Sequence, residues 1–140
     1  MSVIDDAILR LQTLALAITS EDVRAAPSYP TESAPVLPLA IAYIAEGTGQ
    51  ADDITTARLL LTINVDFHVR RDSMKSAYTQ LNNIIPEYLK RLAGDPTLNG
   101  AVDTIVFPVS FSVTPAQWNT VVTQMVSFSI PLKFIETPTT

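Results

Sequence analysis

The chain has no cysteine and a single histidine, His68. The first absence removes disulfides, iron–sulfur clusters, thiolate zinc sites and cysteine nucleophiles together, and it is compatible with a reducing cytosol. The second leaves no paired imidazoles, and neither an HExxH pair nor a DxDxDG loop occurs. Glycine is scarce, and its four copies form no GxGxxG or P-loop; a GxSxG elbow and an SxxK motif are likewise missing. Charge is thin too: 16% of residues are charged and 47% hydrophobic, against about 25% charged in ordinary soluble domains. That surplus of apolar or neutral surface predicts an oligomer. The formal net charge of −5 and a pI near 4.6 oppose a grip on nucleic acid, which needs clustered Lys and Arg. An acidic surface lets DNA slide past instead. The opening MSVIDDAILRLQTLALAI carries Asp5, Asp6 and Arg10 inside its apolar pattern, so it reads as neither signal peptide nor membrane span, and a mature soluble chain is expected.

What is present fits one domain over residues 1–140, a size that buries roughly 68–70% of the surface of its unfolded chain. Ser2 and Asp5 resemble a capping box, and Ile4, Ile8, Leu11, Ala15 and Ile18 recur on one helical face, predicting a first helix to about Ile18. A Pro-rich arm spans about 21–38, where Pro27, Pro30, Pro35 and Pro38 oppose helix and regular ladder alike. LPLAIAYIAEG predicts a first strand that turns at Gly47 and Gly49, before a polar loop containing Asp52 and Asp53. From Leu59 to Arg70 the alternation is strict: Leu59, Leu61, Ile63, Val65, Phe67 and Val69 against Leu60, Thr62, Asn64, Asp66, His68 and Arg70. This is the pattern of a half-buried strand.

Asp72 or Ser73 caps a second helix with an apolar stripe from Met74 to Leu92, in which Pro86 predicts a kink or restart. AGDPTLNG ends it. A third strand is expected over Ala101–Val113, with Pro108 marking an edge or bulge, and a last one from Trp118 to about Phe134; residues 136–140 form a short polar tail. The fold class is therefore α+β: a mainly antiparallel four-stranded sheet with two helices packed on one face, in the order α-β-β-α-β-β.

The candidate chemistry is weak. Asp66 and His68 share a strand face but stand about 6.6–6.8 Å apart along it, too far for a triad-type hydrogen bond. Their row is expected to meet solvent or a neighbouring subunit. Asp5/Asp6 and Asp52/Asp53 are adjacent pairs, whereas an acid–base pair must face across a cleft. Arg70, Arg71 and Lys75 are the densest basic cluster, yet Asp66 and Asp72 beside them favour ordinary salt bridging over phosphate recognition. Trp118 and Tyr88 are expected in core or subunit contacts.

The element order, with GDPTLNGAVDTIVFPVSF after the long helix and a final WNTVVTQMVSFSIPLKF, resembles the tail terminator (tail completion) proteins of long-tailed bacteriophages over nearly the whole chain. The specific part is the D-P-T-L-x-G turn entering a strand that pairs with the last one. The resemblance implies a non-enzymatic, cofactor-free protomer assembled as a hexameric ring on the head-proximal end of the tail tube. There it stops tube polymerisation and meets the head–tail connector, while genomic DNA passes through the lumen without specific binding. It also implies assembly in the host cytoplasm and a place in the virion, with no membrane. Asn64, Asp66, His68 and Arg70, with Asp52 and Asp53, are then candidates for the lumen or the subunit interface. Two alternatives stand beside it: a head-completion or head–tail joining protein, and a small-ligand-binding domain or enzyme with its pocket between sheet and helices.

Overall fold

Ile4, Ile8, Leu11 and Ala15 lie along one side of the first helix, α1 (Val3–Leu16), whose Asp5 and Asp6 sit in the first turn where the helix dipole favours negative charge. The computed structural model describes residues 3–18, 23–25, 38–51, 57–71, 73–100, 102–118 and 121–136. Ser2, Asp52, Asp53, Asp72 and most of the Pro-rich arm and polar tail lie outside them. The second helix, α2 (Met74–Ala93), is capped by Ser73, whose hydroxyl accepts from the Ser76 N–H at 3.3 Å. Its buried residues Ala77, Leu81, Ile84, Tyr88 and Leu92 form the expected stripe. The helix runs unbroken through Pro86. That proline is exposed, so its ring and the carbonyl it leaves unpaired one turn back lie away from the packed stripe.

Among the described residues six strands follow: β1 (Arg24–Ala25), β2 (Leu39–Ala51), β3 (Ala57–Arg70), β4 (Thr104–Ile105), β5 (Ser110–Trp118) and β6 (Val121–Glu136). They make one sheet in the order β1-β2-β3-β6-β4, with β5 also beside β6. Only the β1–β2 pairing is parallel. The α+β class and the helix-backed antiparallel sheet stand, while two short strands enlarge the expected four.

Three boundaries differ from the sequence reading. Gly47 and Gly49 do not turn the chain; they lie inside β2, which continues past an irregularity between Ile44 and Glu46. A Cβ on Gly47 would collide with the Leu61 side chain and come within 3.0 Å of the Leu60 carbonyl oxygen, so the small residue answers a packing need. The strand expected over Ala101–Val113 is split into β4 and β5. Trp118 ends β5 opposite Val121 instead of leading β6.

The split traces to a proline in the neighbouring strand. The Val106 N–H donates to the Pro131 carbonyl at 2.8 Å, and the Asp103 N–H to that of Lys133 at 3.0 Å. Odd-numbered residues of this part of β6 therefore turn their main-chain groups towards β4 and β5. Pro131 has no N–H to offer there. The outer strand breaks opposite it, across residues 106–109 with the cis Phe107–Pro108 bond, while the β3–β6 ladder continues without interruption.

Both helices cover the face bearing Leu61, Ile63, Val65, Phe67 and Val69 of β3, and these pack with Val126, Phe128, Ile130, Leu132 and Phe134 of β6 in one buried cluster. Each fully buried side chain of this size is worth about 1.5–3 kcal/mol. At its centre Phe67, Tyr88 and Phe128 meet edge to face, with ring centroids 4.9, 5.1 and 5.7 Å apart. The Tyr88 hydroxyl donates to the Leu11 carbonyl at 3.0 Å and so ties α2 to α1. The DPTLNG turn is fastened to α1 as well: Arg10 Nε donates to Asp95 Oδ2 at 2.7 Å, while Asp95 Oδ1 accepts from the Asn99 N–H at 2.9 Å. Leu98, Asn99 and Gly100 all have positive φ there.

Candidate functional site

The second phase of β3 points away from the helices. Registers place Leu39, His68 and Met125 in one cross-strand row, Ile41, Asp66 and Ser127 in the next, and Tyr43, Asn64 and Ser129 in a third. The Tyr43 hydroxyl donates to Asp66 Oδ2 at 2.7 Å, and the Ser129 hydroxyl to Asn64 Oδ1 at 3.3 Å. His68 Nδ1 lies 2.7 Å from Thr123 Oγ1. Asp66 and His68 thus engage these partners on opposite sides of β3.

Their burial corrects the sequence reading. Asp66 is 1% and His68 0% exposed, and Leu39 and Ile41 beside them are each 4% exposed. Period-two alternation identifies the face a side chain occupies but not whether that face meets water. Burial lowers the His68 pKa below its ordinary 6.5, and the nearby Asp66 charge opposes that shift only in part. Of the expected row, Asn64 is half-buried and Arg70 exposed. Asp52 and Asp53 lie outside the described residues. Asp66 Oδ1 is buried with no hydrogen-bond partner.

The open part of the sheet lies elsewhere. Between Asp103 and Lys133 the sequence contains no charged residue, and this stretch supplies β4, β5, β6 up to Leu132 and the loop at residues 106–109. Val106, Phe107 and Phe111 are exposed there, and Leu60 is exposed on the helix-free side of β3. A shallow cavity of about 370 Å³ lies against Leu60, Thr62, Val106 and Pro131, bordered by Glu46 and Thr48. It is at the hairpin end of the sheet, several residues along β3 from His68. Phe67, Tyr88 and Phe128 pack in the space between sheet and helices.

Sequence reasoning centred on the lone histidine passed over this neutral surface. The readable signal was the uncharged run itself, long for a chain of net charge −5. Among the described residues, no group of three or more His, Asp or Glu is placed to hold a metal, and no helix is long and apolar enough to cross a membrane. No protein-family model and no curated protein matches the chain.

Proposed function

We propose that the chain is a structural ring protein of the phage tail-terminator type, capping the head-proximal end of a tail tube and presenting its other side to the head–tail connector. One observation carries the reading: the helices cover one sheet face, and the surface left over is an uncharged strand edge and loop with exposed Val106, Phe107 and Phe111. Identical copies with a net charge of −5 repel each other, which favours a joint where charge is sparse. On the helix-free face Tyr43 is paired with Asp66 Oδ2 and Ser129 with Asn64, which supports a structural use of these side chains, with Asp66 Oδ1 alone left without a partner among them. In this reading the protein functions in the virion, takes no cofactor, and lets DNA through its lumen without specific contacts.

The cavity of about 370 Å³ favours a second reading, a small-ligand-binding domain, since its volume falls within the range of ligand sites. Solution mass by light scattering separates the two. A ring gives a species near six times the 15.2 kDa chain mass, and the purified protein halts elongation of tail tubes growing in vitro. A monomer at every concentration that also leaves tube length unchanged would remove the terminator reading.

A further inference from the structure

β5 is an edge strand: its nine residues pair with β6 on one side, and no described strand lies on the other. On the opposite side of the sheet, β1 pairs with β2 only at Leu39 and Ala40, and no described strand flanks Ile41–Ala51. Natural edges are usually blunted by charge. β5 carries none, and Pro115 is its one guard.

The main-chain directions of both edges follow from the ladders. Because odd-numbered residues of β6 face β5, the pairs Ser110–Ser129, Ser112–Ser127 and Thr114–Met125 direct their main-chain groups inward. Phe111, Val113 and Gln117 then present N–H and C=O groups outward. The same alternation carried through β3 leaves Gly47, Gly49 and Ala51 of β2 facing outward. Leu61 accounts for Gly47, and Gly49 is a glycine at an outward edge position, one of the places where another backbone can approach closely.

Strand polarity completes the match. β2 and β6 each run antiparallel to β3, and β5 runs antiparallel to β6. A copy set beside the first in the same sense therefore brings its β2 antiparallel to β5. Phe111 projects on the helix side of the sheet, 47% exposed, the side on which Gly47 and Gly49 also lie; there Leu61 packs against Gly47, while a Cβ on Gly49 would stand 3.3 Å from the Leu59 side chain. An aromatic ring laid over an edge glycine in a cross-strand pair compensates for the side chain the glycine lacks.

We infer that β5 of one copy pairs with the Glu46–Ala51 part of β2 in the next, Phe111 lying over Gly49 and Val113 opposite Gly47, so that the sheet continues from chain to chain. This rests on the ring reading and names its joint. The contact is heterologous, as closure into a ring requires. It pairs both edges that no described strand flanks, whereas a two-fold β5–β5 pairing leaves that of β2 unpaired among the described residues.

The cysteine-free chain allows a direct test. In this register Ser112 faces Thr48 of the neighbour across a non-hydrogen-bonded pair, with Cα atoms about 4.5 Å apart, a separation a disulfide spans. Oxidised Ser112→Cys/Thr48→Cys protein is expected to give a ladder of covalent multimers on a denaturing gel, lost with reductant, while each single variant gives none. Covalent dimers from Ser112→Cys alone would establish two-fold pairing and overturn the inference. Hexamers by mass with no ladder, also when Ser110→Cys or Thr114→Cys replaces Ser112→Cys, would overturn the joint and leave the ring standing. A protein monomeric by mass that forms no ladder would remove both. As a second measurement, Ser112→Lys/Thr114→Lys is expected to lose the hexamer while keeping its far-UV spectrum; a persisting hexamer would count against the edge.

Discussion

Tyr88 offers the sharpest test of how the core is held. Its ring is fully buried between Phe67 and Phe128, and its hydroxyl reaches the Leu11 carbonyl of the other helix. Tyr88→Ala empties the aromatic cluster and should cost about 3–5 kcal/mol. Tyr88→Phe keeps the ring and removes one hydrogen bond to an α1 carbonyl, so about 0.5–1.5 kcal/mol is expected. Burial also pushes the Tyr88 pKa far above its ordinary value of 10.0. The buried phenol stays protonated in the fold while the unfolded chain ionises, so its contribution is whole below about pH 10 and declines above it. By pH 11 the wild type loses about 1.4 kcal/mol on this account, a loss Tyr88→Phe escapes. Urea denaturation at pH 7 and pH 11 should therefore show the gap between the two proteins closing or inverting at the higher pH. An unchanged gap, or Tyr88→Phe as damaging as Tyr88→Ala, would refute the argument.

The lone imidazole makes the next prediction clean. His68 should titrate below 6.5 in an NMR pH series of the folded protein. The unfolded chain takes up that proton first, so stability held above about pH 6.5 is lost as pH falls from there through the folded pKa. His68→Gln should flatten that fall, and a folded midpoint at or above 6.5 would contradict the burial argument. At the turn, a double-mutant cycle on Arg10 and Asp95 should return a coupling of only about 0.2–1 kcal/mol, because the pair is partly exposed. Asp95→Ala should nevertheless lower the melting temperature more than Arg10→Ala, since it also deprives the Asn99 N–H of its acceptor.

Much of the frame was legible because periodicity reports directly on burial. Leu61, Ile63, Val65, Phe67 and Val69 were readable as one face of β3, and the α2 stripe with its Ser73 cap followed from helical spacing. The failures cluster where a local signal depends on a distant neighbour. Gly47 reads as a turn unless Leu61 is known to press against it, and the split between β4 and β5 depends on Pro131 in another strand. Pro86 predicts a break, but its exposed position lets α2 continue. The row expected to meet solvent or a neighbouring subunit divides, for Arg70 is exposed while Asp66 and His68 are buried, and alternation alone contains nothing to separate the two outcomes.

The long central ladder has a mechanical consequence. β3 and β6 pair from Ala57–Glu136 to Arg70–Thr123 without a break. Tension applied along the strand axis strains every rung of such a ladder together, whereas tension across it opens the rungs in succession from one end. A load-bearing joint made from this protein would therefore be stiff in one direction and easily unzipped in the other, and the route by which force enters the sheet would decide which response prevails.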